Sequence, residues 1–184
     1  MATETLFRGV MILAAGLSSS AYAAGTSQSM AEAQVFAEAF TGICAQNSGR
    51  NDKVAAFARI MKFEELSSEM ALAMGPQDSD AEFKGWIVVD ETGLKYLLGV
   101  SQTRIDGKML AACTIANPNL NTNDVVENLK GLLSLGEPRM DEEYAGQRTR
   151  AWSANGFGDG SSVYLVNAVR PTVEGATVSL RSPK

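Results

Sequence analysis

Apolar residues recur along this chain with two different periods, and the change from one to the other divides it. Up to Met74 they return at helical spacing, every three or four positions. From Lys84 onward they come in short runs bounded by turn residues, the pattern of strands. In the first region Phe36, Phe40, Ile43 and Cys44 share one face of a predicted helix opening at Ser29, where Glu32 completes a capping box. "NSGRND" interrupts, and Asp52 caps a second predicted helix whose buried stripe is Val54, Phe57, Ala58 and Met61. "ELSSEMALAMGP" places Leu66, Met70 and Met74 on a third, stopped by Gly75-Pro76.

In the second region "GWIVVD" and "LKYLLGVSQ" flank a Glu91-Thr92-Gly93 turn, and "KMLAACTIA" follows the Asp106-Gly107 turn, which predicts a three-strand meander. "NPNLNTND" then leads into a helix carrying Val125, Val126, Leu129, Leu132 and Leu133, with Asp124 and Glu127 as a capping box and Gly136 and Pro138 ending it. "RMDEEYAGQ" reads as a charged loop, after which "RTRAWSA", "SSVYLVNAV" and "GATVSLRS" form three more strands.

The two meanders resemble one another. "YLLGVSQTRIDG" from Tyr96 and "YLVNAVRPTVEG" from Tyr164 share their first two residues, their acid-Gly ending and the interval between them. Trp86 precedes the first and Trp152 the second, and the same offset lays the helix of Phe57, Ala58 and Met61 on that of Val125, Val126 and Leu129. The order predicts an internal duplication in which Tyr96 corresponds to Tyr164 and Trp86 to Trp152. One detail is out of phase: Met109, Ala111, Cys113 and Ile115 are the more apolar set of one closing strand, whereas Ala176, Val178 and Leu180 are that of the other. A one-residue slip exchanges sheet faces, so this reading needs a bulge or a first closing strand buried on both sides. The resulting fold class is α+β: a mainly antiparallel sheet of about six strands, built from two helix-plus-three-strand halves, with an extra N-terminal helix.

The start of the chain changes the picture of where it works. "GVMILAAGL" is too short for a bilayer span, which needs about 20 residues. Ala21 and Ala23 then fill the small-residue pattern of a signal-peptidase site. Residues 1–23 therefore read as a signal peptide and residues 24–184 as one α+β domain, periplasmic or secreted, with no stable membrane insertion after cleavage. Two cysteines, Cys44 and Cys113, are expected to oxidise in such a compartment. The net charge of −5, with no run of Lys or Arg, speaks against nucleic acid and against electrostatic attraction to anionic membrane surfaces.

Candidate chemistry is sparse. The chain has no histidine, which removes Ser-His-Asp and Cys-His nucleophile systems and the commonest zinc and copper ligands. The alternating Asn117, Asn119, Asn121 and Asn123 suggest a calcium loop, but the sharp-turn Gly is missing and Asn128 stands where the bidentate Glu belongs. A Pro-Asn turn followed by a helix cap is the better account. "NGFGDGSS" lies between strands and lacks a following Lys, so it is a long hairpin turn rather than a phosphate cradle. Acid pairs at Glu64-Glu65, Asp90-Glu91 and Asp141-Glu142-Glu143 read as solvated surface. No catalytic residue, cofactor site or metal site is assigned. Phe157 at the tip of the longer turn is expected either to fold back or to meet a partner, the first outcome being favoured. With Asp159 and Arg181 beside it, it marks the expected interaction surface, because insertions in repeats commonly map to binding loops.

Cys44, Trp86 and Cys113 together give the chain an arrangement that resembles small exported two-cysteine proteobacterial proteins of unknown function. That resemblance implies an envelope location and a disulfide, and no activity. The expected function is a non-catalytic binding or accessory module whose partner is a protein or a small ligand of the cell envelope; the alternative is a carboxylate-dependent hydrolase or lyase.

Overall fold

The computed structural model describes residues 17–76, 80–105, 107–169 and 175–184, with side chains from Gln28 onward. In chain order the elements are α1 (Leu17–Ile43), α2 (Asn51–Ile60), β1 (Glu64–Glu65), α3 (Ser68–Met74), β2 (Glu82–Val89), β3 (Lys95–Ile105), β4 (Lys108–Asn117), α4 (Thr122–Leu133), β5 (Met140–Tyr144), β6 (Gln147–Ser153), β7 (Ser162–Ala168) and β8 (Ala176–Pro183). Among the described residues the strands form one antiparallel, eight-stranded sheet in the order β1-β2-β3-β4-β8-β7-β6-β5. The α+β class holds, and all six expected strands are present. Two further strands, β1 and β5, extend its edges beyond the expected number.

These two lie where the sequence shows only charge. An edge strand pairs on one side and needs no alternating apolar set, so Glu64-Glu65 and Met140–Tyr144 leave no periodic signal. The β5–β6 hairpin closes on Ala145 and Gly146, both with positive φ (51° and 78°), the geometry of a two-residue primed turn. Ala in that position hides the turn from a reader looking for Asn-Gly or Asp-Gly.

One face of the sheet carries the core. Trp86, Val88, Tyr96, Leu98, Val100, Cys113, Ile115, Val163, Leu165, Val178 and Leu180 meet α1 through Phe36 and Phe40, α2 through Val54 and Ala58, and α4 through Val125 and Leu129. Cys44, just past α1, is bonded to Cys113 of β4 and fixes that helix over the sheet centre. The helices differ from expectation at their ends. The first runs through Ser29, whose hydroxyl donates to Asp124 of α4 at 3.1 Å instead of capping, and the expected cleavage point after Ala23 falls within its helical backbone. Asn121, not Asp124, caps α4 by accepting from the amides of Asn123 and Asp124. Asn117 accepts from the Asn119 amide, so two of the four alternating asparagines bind backbone as turn and cap. In α2 only Val54 and Ala58 of the expected stripe are buried; Phe57 and Met61 are exposed because the sheet meets only one narrow flank of this helix.

The registers run without a bulge, and they correct the expected correspondence of the halves. Reversing the sheet about the Thr114–Ser179 pair exchanges β4 with β8, β3 with β7 and β2 with β6. It brings Cys113 onto Val178, Ile115 onto Leu180, Leu98 onto Val163 and Trp86 onto Trp152. The tryptophans therefore match, as expected. The tyrosines do not. Tyr96 is buried in the helix-covered face and meets Phe36 edge-on at 6.2 Å, whereas Tyr164 lies on the opposite face under Arg181. The out-of-phase closing strands follow from aligning on Tyr-Leu, and β4 is not buried on both sides: its odd-numbered residues from Ala111 to Asn117 are buried, while its even-numbered ones stay partly open.

Candidate binding surface

The sheet face away from the core is only partly covered. Over β2 and β3 it takes α3, and a pair of glycines makes that possible. Gly85 and Gly99 are directly opposite in the ladder. A Cβ on Gly85 would lie 2.5 Å from Leu66 Cδ1, and one on Gly99 would lie 2.8 Å from Phe83 Cε2 and 3.1 Å from Met74 Cε. The missing side chains form a slot into which Leu66, Phe83 and Met74 fold. Ser67 begins the helix by accepting from the Met70 amide, and Gly75-Pro76 follow its end.

Beyond α3 the face is open among the described residues. A groove of about 490 Å³ runs from Met74 and Phe83 across β3 and β4 to Val166 and Arg181. Its floor is Ala112, Thr114 and Ser179, with Leu110 and Ile105 at one side. Short residues there follow from register, since Ala112 pairs with Arg181 and Thr114 with Ser179 across the central ladder. The Thr114 and Ser179 hydroxyls hydrogen-bond to each other at 2.8 Å. The Arg181 guanidinium stacks on the Tyr164 ring with its carbon 4.2 Å from the centroid, which holds a cation at the groove's end. An apolar wall, a hydroxyl floor and one oriented cation suit an amphipathic ligand with an anionic end.

Of the three residues expected at an interaction surface, Arg181 lines this groove. Phe157 folds back, the favoured of its two expected outcomes, and packs against the core from a single turn of helix at Asn155–Phe157. Ser161, behind it, hydrogen-bonds Ser182, which also meets Ser48, so this turn is tied to β8 and to the segment after α1. Asp159 is exposed on the same turn. The glycine pair and Phe83 were not singled out from sequence. The available signal was Gly85 and Gly99 inside strand-like runs, where a glycine marks close approach.

Groups with displaced pKa values lie outside the groove. Burial, helped by the charge of Asp90, pushes Tyr96 up to about 12. On the exposed β5–β6 hairpin Arg148 grips Asp141 through two nitrogens at 2.6 and 2.7 Å, which lowers the Asp141 pKa and raises that of Arg148. Half-buried Arg150 is lowered by desolvation and then by Arg148. Two carboxylates distant in sequence, Asp52 and Glu82, do line one cavity of about 430 Å³ with Lys84. Among the described residues no cluster of three or more metal-ligating side chains occurs, and no helix is long and apolar enough to cross a membrane. In comparisons with family models, characterised proteins and solved structures, nothing matches this chain.

Proposed function

We propose that this is an exported envelope protein acting as a non-catalytic binding module, which takes a small amphipathic anion or an extended partner segment in the open groove of its sheet. The carrying observation is the groove itself: about 490 Å³, walled by Phe83, Leu110 and Val166 and ended by Arg181 stacked on Tyr164. Export is supported by the Ala21/Ala23 pattern and by the Cys44–Cys113 bond, which persists in oxidising compartments. Within this reading Arg181 keeps the role expected of it, and Phe157 serves to anchor its turn. The matched tryptophans and the mirrored strand order support an origin by internal duplication, resting on Trp86 and Trp152 and no longer on the Tyr-Leu segments.

A thermal-shift screen of amphipathic carboxylates, sulfonates and phosphates tests the binding reading. Ala112→Trp should fill the groove floor and abolish any stabilisation while leaving the unliganded midpoint within a few degrees. Stabilisation that survives Ala112→Trp and Arg181→Ala would move the site elsewhere. The alternative, a carboxylate-dependent hydrolase or lyase, would use Asp52 and Glu82 beside Lys84. Asp52 has a simpler account in the first turn of α2, where a negative charge is stabilised by the helix dipole.

A further inference from the structure

The exposed end of α2 is locally cationic in an acidic molecule. Between Arg50 and Phe63 stand four cations, Arg50, Lys53, Arg59 and Lys62, and one acid, Asp52, in a chain whose net charge is −5. The tip reads Arg59-Ile60-Met61-Lys62, and all four residues are exposed, Ile60 at 76% and Met61 at 53% of their full surface. Phe57 is 39% exposed behind them and braced edge-on by Phe63 at 5.7 Å. Lys62 turns the chain through a positive φ of 56°, and the Phe63 amide bonds back to the Ala58 carbonyl, so the helix stops with its apolar pair at the corner. Beneath the tip Arg59, Lys62 and Lys84 line a cavity of about 560 Å³ that also holds Glu65, three cations against one acid.

We infer that the α2 tip docks on an anionic lipid surface, Ile60 and Met61 entering the headgroup–acyl boundary while Arg59 and Lys62 meet lipid phosphates and the cavity beneath receives a headgroup. Two large apolar side chains at a convex corner are costly to leave in water, and cations on both sides match a surface that is apolar inside and negative outside. The molecule's overall negative charge does not oppose this at contact. At physiological salt, exposed charges beyond about 8 Å are largely screened, whereas the tip cations touch the surface. The acids Glu64 and Glu65 of β1 follow the tip and are exposed, so the contact with lipid is made by Arg59 and Lys62, which flank Ile60 and Met61, while the acidic β5 lies at the other end of the sheet. The docking is peripheral, and its cavity lies on the other side of Phe83 from the groove that this ring also walls.

Brominated lipids test it on the full chain, with a probe local to the tip. The indole introduced by Ile60→Trp, measured against the parent whose Trp86 and Trp152 are buried, should shift to the blue and be quenched by vesicles of brominated phosphatidylglycerol. Brominated phosphatidylcholine should quench it at least tenfold more weakly at equal lipid. Adding Arg59→Gln and Lys62→Gln should remove that preference, and Met61→Ser should lower partitioning at least threefold. No quenching when the protein floats with the vesicles would overturn the inference, because contact would then come from another segment. Equal quenching by both lipids, or capture of the tip by an acidic protein in place of vesicles, would overturn it too.

Discussion

At the scale of single residues, Cys44 and Cys113 and the buried Tyr96 make the plainest predictions. The disulfide joins the end of α1 to the central strand β4, so removing it frees the longest helix from the sheet. Cys44→Ser with Cys113→Ser should cost about 2–5 kcal/mol, the usual range for a native disulfide, read from urea unfolding. Tyr96 has a folded pKa near 12 against its ordinary 10.0, with burial as the main cause. A raised pKa means that the folded state holds the proton more tightly than the unfolded one. Its contribution is therefore complete below about pH 10 and is lost as the pH climbs through about 12. In denaturant titrations across that window Tyr96→Phe should lose less stability per pH unit than the parent; equal slopes would mean that Tyr96 titrates normally.

At the scale of elements, the positions that decide packing are small residues with special geometry. Gly99→Val would drive Phe83 and Met74 out of their slot, because the new side chain starts within van der Waals distance of both. A cost of about 1–3 kcal/mol is expected from such overpacking. Faster hydrogen exchange over α3, residues 68–74, should accompany it, with little change in α1. Ala145 works in the opposite sense. It occupies a left-handed backbone at φ 51° that an L side chain dislikes. Ala145→Gly should therefore raise stability by about 0.5–1 kcal/mol, with an unfolding midpoint at higher urea. Gly107 and Gly175, matched in the sequence comparison of the two meanders, are needed for different reasons. Gly107 turns at φ 77° into open space, while a Cβ on Gly175 would meet the Pro118 backbone at 2.9 Å.

At the scale of the whole molecule, the sheet ends in acids on both sides, at Glu64-Glu65 and at Asp141, Glu142 and Glu143. Exposed strand edges recruit other strands unless charge or geometry prevents it. Replacing Asp141, Glu142 and Glu143 by Thr should therefore produce self-association on size-exclusion chromatography at concentrations where the parent elutes unchanged. An unchanged profile would assign the protection to the short length of β5 instead.

The sequence by itself determined the α+β class, the six paired strands, the cysteine pair, the core face of α1 and that of α4 except for Leu132, which is exposed. In each of these the signal is periodic burial or local turn chemistry, which is written in neighbouring residues. It also paired Trp86 with Trp152, which the strand registers place at matching points of the sheet. Tertiary structure alone decided the rest. The two edge strands have no apolar period of their own: β1 is made by a partner more than twenty residues on, and β5 by a hairpin whose Ala-Gly turn lacks the usual signal. Which sheet face the helices cover decided burial, so Tyr96 went inside and Tyr164 outside although both begin the same dipeptide. Phe57 and Met61 fit a helical stripe as well as Val54 does, but the sheet is in reach of only one flank of α2. The groove exists because α3 covers half of a face, and Gly85 and Gly99 admit it only once β2 and β3 stand side by side. Burial on two sides needs two long-range neighbours, and neither is encoded at the residue it buries.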